Sequence, residues 1–246
     1  MSMKATAQGA LNRALRPFNV QVVKGRTTDP AVLGFLSARK TLAAARAAGL
    51  PVGDYVDATF STPGTTQRTV DTMLRLTGLS TAERVCEIGP GTGRYSEKVI
   101  AALRPAVYEL YEPASDWHPH LRTLPGAVLE PCDGHTLRAT RSGSVDLVHA
   151  QKVFVYLPFE TTMGYVDEMV RVTRPGGAIA FDVVTEECLT DDLVKRWTST
   201  GTIFRPLPRE WMIEHVARRG AAFAGGSLVP LVDSETELLV FRRSAA

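Results

Sequence analysis

The sequence has few cysteines, and none of its hydrophobic stretches is as long as a membrane helix. Its three cysteines, Cys86, Cys132 and Cys188, are widely separated and form no C-x-x-C pair. We therefore expect neither a disulfide framework nor structural zinc, and a reducing cytoplasm fits best. The apolar runs fall short of the ~20 residues that cross a bilayer. The first residues lack the apolar core and cleavage site of a signal peptide.

Neither sign of charge is in clear excess. The chain has 28 Lys and Arg against 26 Asp and Glu, a formal net charge of +2, and no run of five or six basic residues. This balance argues against a nucleic-acid partner. The length of 246 residues and the hydrophobic content of 44% are ordinary for a globular chain with one large domain or two small ones.

The sequence has two parts with different hydrophobic patterns. Up to residue 80 the pattern is helical, with a helix start at Asp29-Pro30 and a further helix at about 65–76. From 84 onwards short apolar runs alternate with helical patterns. Strands are predicted at 84–88, 106–111, 127–131, 145–150, 178–184, 222–229 and 238–242, and helices at 95–103, 159–172, 191–199 and 209–219.

This alternation predicts an α/β fold, a Rossmann-like doubly wound sheet of seven strands. We expect an N-terminal helical extension or cap at 1–80, and an α/β domain at 81–246 with a helical insertion at about 185–219. Sheets of this kind bind ligands at the carboxyl ends of their strands. The candidate site should therefore lie along that edge.

A glycine-rich loop, Gly89-Pro-Gly-Thr-Gly93, follows the first predicted strand and precedes a helix. A dinucleotide fingerprint would need glycine where Arg94 stands, and a phosphate-binding P-loop would need Gly-Lys-Ser/Thr. Glu87 would repel a pyrophosphate, but it would suit a cationic group such as an amino group or a sulfonium. The spacing and the charge both favour a ligand other than a nucleotide phosphate.

The pattern Glu87-x-Gly-x-Gly-x-Gly93 after a hydrophobic strand resembles the first motif of class I S-adenosylmethionine-dependent methyltransferases. The resemblance covers about 84–242 and is closest in character to bacterial small-molecule and sugar O-methyltransferases. It implies the class I methyltransferase fold and S-adenosyl-L-methionine as the cofactor. The residues that it assigns to cofactor binding are Glu87, Gly89, Pro90, Gly91, Gly93, Glu112, Asp133, Gly134 and Ala150.

Two acids carry most of that assignment. Glu112 ends the second strand nineteen residues beyond Gly93, where an acid can accept hydrogen bonds from both ribose hydroxyls. Asp133 follows the third strand, where the resemblance implies an acceptor for the adenine amino group. The alternatives are a solvated strand-end acid for Glu112 and a simple Asp-Gly turn for Asp133-Gly134.

A hydroxyl acceptor benefits from a general base, and histidine is the usual choice near neutral pH. His149 ends the fourth predicted strand, at the edge where the cofactor should lie, and is the first candidate. The alternative is a core histidine that is hydrogen-bonded within the sheet. Gln151, Tyr156 and Tyr55 are the candidate substrate contacts.

The segment Asp116-x-His118-x-His120 could suggest a metal, but magnesium prefers oxygen ligands. We interpret it as a solvated helix start and expect no metal site. Trp197, Phe204 and Trp211 lie in or near the predicted insertion, where they could line an acceptor site or merely anchor its helices.

Three functions compete. The first is O-methylation of a small molecule, with a sugar or glycoside as the leading acceptor, in polysaccharide or secondary-metabolite biosynthesis. The second is methylation of RNA or protein, which the charge balance and the absence of an amide-methylating motif after the fourth strand disfavour. The third is cofactor binding without transfer, or a different reaction with the same ligand. We expect a small-molecule partner, no nucleic acid and no membrane span, and we leave a homodimer open.

Overall fold

The structure is a computed structural model that describes residues 36–202, 204–231 and 234–245. The predicted helix start at Asp29-Pro30 lies outside these residues. The described part of the N-terminal extension forms three helices, α1 (Ala38–Ala47), α2 (Val52–Phe60) and α3 (Thr65–Thr77). The sequence pattern predicted α3 to within one residue and did not predict α2.

The seven predicted strands form one sheet. Its strands are β1 (Arg84–Ile88), β2 (Val107–Tyr111), β3 (Ala127–Leu129), β4 (Val145–Ala150), β5 (Thr173–Val183), β6 (Ala221–Leu231) and β7 (Ser234–Arg243). Their order is β3-β2-β1-β4-β5-β7-β6. β1 to β5 pair in parallel, whereas β7 runs antiparallel to both of its neighbours. The predicted α/β fold, a doubly wound sheet with a helical segment before it, is confirmed.

Helices cover both faces of the sheet. They are α4 (Arg94–Leu103), α5 (His118–Leu121), α6 (Phe159–Val172), α7 (Asp191–Thr200) and α8 (Arg209–Ala217), with short 3₁₀ helices at Ser115–Trp117 and Glu186–Cys188. The central strands are buried on both faces. They therefore read as continuous apolar runs, which is why the sequence located them well.

Strand alternation sorts the core into two layers. On one face Val148 and Phe181 pack in a cluster with Met169 of α6. On the other face Leu147 lies in the cluster that contains Val99 of α4. From Leu147 to Ala150, beyond a register shift between Val145 and Leu147, a residue of β4 thus faces α6 or α4 according to whether its number is even or odd.

The N-terminal helices are attached to the sheet domain by a buried carboxylate. Asp57 of α2 accepts hydrogen bonds from the backbone N–H and the hydroxyl of Thr66 (2.8 and 2.7 Å). It also accepts one from Nη1 of Arg94, at 3.0 Å. A Cβ at Gly53 would stand 2.9 Å from Cβ of Arg94, so α2 and α4 touch closely. The extension is therefore a wall of the site that lies beside the glycine loop.

Candidate active site

A cavity of about 820 Å³ runs along the carboxyl ends of the strands. It begins at Glu112 after β2, passes the glycine loop, and continues along the segment after β4 to the β6–β7 hairpin at Leu231. Its lining comprises Leu36, Val56, Phe60, Ser61, Thr65, Gly89, Pro90, Gly91, Thr92, Arg94, Tyr95, Glu112, Pro113, Ala114, Trp117, Gln151, Lys152, Val153, Tyr156, Leu157, Thr202, Arg205, Pro230 and Leu231. This edge is the one that the sheet topology predicts.

The glycine loop presents bare backbone to the cavity. Gly89 and Gly91 have φ angles of +64° and +53°, which glycine adopts without strain. A Cβ at Gly89 would lie 2.6 Å from a methyl carbon of Val153, so glycine allows the segment after β4 to approach. A Cβ at Gly91 would meet no protein atom within 4 Å. The loop therefore leaves room for a ligand against its backbone.

Glu112 is held in place by two backbone donors. Its Oε2 accepts a hydrogen bond from the Gly91 N–H and its Oε1 from the Ala114 N–H, both at 2.7 Å. Burial raises the pKa of this carboxyl, and the two N–H donors oppose that shift. Each carboxylate oxygen keeps a second lone pair. The side chain can therefore accept from two adjacent hydroxyls of a ligand.

Two buried polar atoms on the cavity wall have no partner among the described residues. They are the hydroxyl of Tyr95 and Oε1 of Gln151, on side chains that are 3% and 4% exposed. Burial raises the pKa of Tyr95 to about 12, so its hydroxyl stays protonated. An unpaired buried polar group costs about 1–3 kcal/mol. A ligand with its own donors and acceptors would remove that cost.

Asp133 and Gly134 do not line this cavity. The Asp133 carboxylate accepts hydrogen bonds from the N–H of His135 and from the N–H and hydroxyl of Thr136, at 2.7–2.9 Å. These bonds lower its pKa to about 2. The residue thus shapes a turn, which is the alternative that the sequence left open, and its adenine contact stays a prediction. Ala150 and Gly93 also lie outside the lining.

His149 does not reach the cavity, where a general base would have to contact the acceptor. Its side chain is fully buried and does not line the cavity. Its Nε2 lies 2.8 Å from the hydroxyl of Tyr108, and burial lowers its pKa to about 3. As an odd-numbered residue of β4 it faces the same layer as Leu147. The prediction of a general base at this position is corrected: His149 is a core histidine.

Glu87 is likewise below the cavity and not in its wall. It is 1% exposed, and its Oε2 accepts hydrogen bonds from the hydroxyls of Ser96 (2.5 Å) and Tyr108 (2.9 Å). Burial raises its pKa to about 7. Direct contact with a cofactor amino group is therefore not what the structure shows. We call Glu87, Ser96, Tyr108 and His149 the sealed cluster.

Of the three predicted substrate residues, two line the cavity and one does not. Gln151 and Tyr156 line the cavity, and the Tyr156 ring stands 5.7 Å from that of Phe204. Tyr55 does not line it and packs, half-buried, against the core. Trp197, Phe204 and Trp211 are also absent from this lining; the Trp197 and Phe204 rings pack against each other at 5.7 Å, and Trp211 is exposed.

Lys152 was missed by the sequence analysis. It is a non-glycine residue with φ of +59°, and it lines the cavity beside Gln151. Its Nζ donates to Oδ2 of Asp182 (2.6 Å) and to the hydroxyl of Thr236 (2.5 Å). We call Lys152, Asp182 and Thr236 the open cluster. The available signal was a lysine two residues after the end of a buried strand, at the edge where ligands bind.

Among the described residues 36–202, 204–231 and 234–245, no group of three or more His, Cys, Asp or Glu residues could hold a metal ion. The polar groups of the Asp116 segment point to different partners: Asp116 accepts from the Ala38 N–H, and His118 donates to the Glu112 carbonyl. Also within those ranges, none of the helices has the length and apolarity to cross a membrane.

Residues 86–181 match the family model described as a methyltransferase domain. The strand order and the cavity position agree with this match: the fold is that of class I methyltransferases, and S-adenosyl-L-methionine is the cofactor of that class. No curated protein matches the sequence.

Solved structures share the fold at low sequence identity. An O-methyltransferase family protein from Burkholderia thailandensis is 16% identical, with a TM-score of 0.59 over 90% of this chain and 66% of that chain. The 1,6-didemethyltoxoflavin-N1-methyltransferase of the same organism, with S-adenosylhomocysteine bound, is 12% identical, with a TM-score of 0.56 over 90% and 93%. The [4+2]-cyclase SpnF is 16% identical, with a TM-score of 0.55 over 73% and 81%. The fold is thus common to enzymes that are named for different reactions.

Proposed function

We propose that this chain transfers a methyl group from S-adenosyl-L-methionine to a hydroxyl of a small molecule. The observation that carries the proposal is the continuous cavity of about 820 Å³, which joins Glu112 and the glycine loop to the segment after β4. A cofactor at the first end and an acceptor at the second would share one enclosed space. Such an enclosure suits small ligands, whose surface a pocket can bury.

The cofactor side has groups for each part of the ligand. Glu112 would accept from the ribose hydroxyls, and the bare backbone at Gly91 would face the cofactor closely. Oε1 of Gln151, which is buried and unpaired among the described residues, would accept from the amino group. When bound, the cofactor supplies an activated methyl group. The protein's task is then to align the acceptor with it and to exclude water.

The acceptor side limits the chemistry of its ligand. Phe60, Val153, Leu157 and Leu231 contribute apolar surface there. A sugar brings several hydroxyls, and each one buried without a partner costs free energy. This lining therefore supports a hydroxyl acceptor with a sizeable apolar part better than the sugar or glycoside expected from the sequence. The cytoplasmic location and the homodimer stay predictions.

The strongest rivals use the same cofactor site. An amine acceptor would give N-methylation, and a chain without transfer activity, or with another reaction, would still bind the cofactor. A radiolabelled cofactor offered with phenols, glycosides, amines, tRNA and a protein extract separates them. We expect label on a hydroxyl of a small molecule, with the product identified by mass spectrometry. Label on an amine, RNA or protein would contradict the proposal, and so would binding without transfer.

Glu112 tests the cofactor site itself. Glu112→Ala removes the acceptor for both ribose hydroxyls, and a charge-assisted pair of hydrogen bonds is worth about 1.5–3 kcal/mol. We expect S-adenosylhomocysteine to bind roughly ten- to a hundredfold more weakly, as measured by calorimetric titration. Glu214→Gln, at an exposed position where the carboxylate pairs with Arg218, is the control. Equal affinity in both variants would show that Glu112 does not hold the cofactor.

A further inference from the structure

Lys152 is built into the cavity wall under backbone strain. Its φ of +59° is a conformation that non-glycine residues rarely adopt, and such residues persist where surrounding contacts hold them. Here the contact is Asp182, whose Oδ1 accepts from the Lys152 N–H at 2.6 Å while Oδ2 accepts from Nζ at 2.6 Å. One carboxylate therefore fixes both the backbone and the end of the side chain.

The hydrogen bonds of the open cluster use two of the three hydrogen-bonding directions of Nζ. The hydroxyl of Thr236 donates its proton to Asp182 at 2.6 Å, so its oxygen is free to accept from Nζ. Nζ thus donates twice, to Asp182 and to Thr236. An uncharged amine has two N–H bonds and one lone pair. With both N–H bonds used, the lone pair remains, on a residue that lines the cavity.

The charges around Lys152 act in both directions. Burial is the largest influence and lowers its pKa, and the Arg94 guanidinium lowers it further, whereas Asp182 and Cys188 raise it. The net shift of the pKa is downward. Tyr95, whose pKa Asp182 also raises, stays a neutral phenol nearby. The amine form of Lys152 is therefore more accessible than that of an exposed lysine.

Among the residues that the structure describes, no other group in the cavity lining is as well suited to take a proton. This described lining contains no histidine, the guanidinium groups of Arg94 and Arg205 cannot accept hydrogen bonds, and Glu112 belongs to the cofactor side. We propose that Lys152 is the general base of the acceptor side, with Asp182 and Thr236 as its positioning residues. This inference rests on the proposed function. The acceptor oxygen would gain the methyl carbon that the cofactor supplies, the bond electrons staying on sulfur. Its proton would move to Nζ and then to solvent.

The protonation of Lys152 can be measured without any acceptor. The chain has only six lysines, so protein labelled with [¹³Cε]-lysine should give six resolvable NMR signals, and Lys152→Arg identifies one of them. We expect this signal to titrate at clearly lower pH than that of Lys98, which pairs with Asp54 at 3.3 Å on the protein surface. Lys98→Arg assigns the reference. Titration of Lys152 with or above Lys98 would overturn the proposal.

Turnover supplies the second measurement, once an acceptor is found. Lys152→Arg keeps the charge but cannot take a proton at working pH, and Lys152→Met keeps only the length. Both should lower kcat by about 10²–10⁴-fold while S-adenosylhomocysteine affinity stays within about threefold. Wild-type kcat should rise with pH, with a midpoint that matches the NMR titration. Lys195→Arg, at an exposed position, is the matched control.

The outcomes separate the two proposals. A wild-type protein that binds S-adenosylhomocysteine but methylates no hydroxyl contradicts the proposed function. It also contradicts the role of Lys152 as the general base, which rests on that function. An active Lys152→Arg variant, or a kcat that does not depend on pH, contradicts only the role of Lys152.

Discussion

Two polar clusters flank the end of β4, and they differ in what they can reach. The sealed cluster contains His149, the last residue but one of the strand, and the open cluster contains Lys152, three residues later. All four members of the sealed cluster are buried and do not line the cavity, whereas Lys152 does. Within the strand, alternation sends His149 into the core beneath the glycine loop. Beyond the strand, the chain turns and places Lys152 on the ligand side.

The clusters also differ in charge. Burial raises the pKa of Glu87 to about 7 and lowers that of His149 to about 3, so near neutral pH the sealed cluster tends toward uncharged forms. The open cluster instead pairs a carboxylate with an amine that is 2.6 Å away. Burial also lowers the pKa of Lys152, but here a paired carboxylate, Asp182, opposes that shift.

The largest effect should come from breaking the open cluster. Asp182→Ala leaves Lys152 as a nearly buried cation without its partner and removes the acceptor of its backbone N–H. We expect the free energy of unfolding to fall by about 3 kcal/mol or more, measured by urea denaturation. Asp192→Ala removes an exposed ion pair with Lys195 and should leave the midpoint unchanged. Equal midpoints in the two variants would mean that the open cluster contributes nothing to stability.

A smaller effect should appear when the sealed cluster is titrated. Between about pH 4.5 and 7 the folded chain keeps a proton on Glu87 that the unfolded chain releases, so this residue makes stability fall as pH rises. Between about pH 3 and 6.5 the unfolded chain holds a proton on His149 that the folded chain lacks, so this residue makes stability rise. The two slopes oppose each other in the wild type.

Single variants should separate these slopes. Relative to wild type, Glu87→Gln should gain stability as pH rises from about 5 to 6.5, and His149→Gln should lose it, each by up to about 1.4 kcal/mol per pH unit. Urea unfolding at half-unit steps of pH measures both differences. Differences that do not vary with pH would mean that neither group is perturbed in the folded chain.

The smallest effect is expected on turnover. His149→Gln removes a group that does not line the cavity, so kcat should stay within a few-fold of wild type while stability falls by about 1–3 kcal/mol. The comparison with Lys152→Arg is direct, because the two positions are three residues apart. A hundredfold loss of kcat with intact cofactor binding would restore His149 as the base and end the distinction between the clusters.

The sequence predicted the fold well where burial is continuous. The bounds of β1, β4 and α6 match the predicted ranges, because buried parallel strands and an amphipathic helix leave strong periodic signals. The prediction placed the start of β5 at 178, but the strand begins at Thr173. Its first residues contain Pro175 and two glycines, which local propensity reads as a turn.

The site was predictable where backbone position alone decides it. Gly89, Gly91 and Glu112 line the cavity because they follow the ends of β1 and β2. His149 was misplaced because its residue type was weighed above the two-residue period of the strand. The contact of Asp57 with Arg94 joins residues 37 apart, and no local pattern encodes such a pair.

The docking of residues 36–38 on the cofactor side links binding to folding. Trp117 donates from Nε1 to the Leu36 carbonyl, and Asp116 accepts from the Ala38 N–H, both at 3.0 Å. Leu36 and Trp117 line the cavity together with Glu112. A ligand seated there touches the N-terminal segment and the sheet domain at once. By mass action, raising its concentration shifts the equilibrium toward chains in which the two parts are joined. A bound cofactor would thus stabilise the contact between residues 36–38 and the sheet domain.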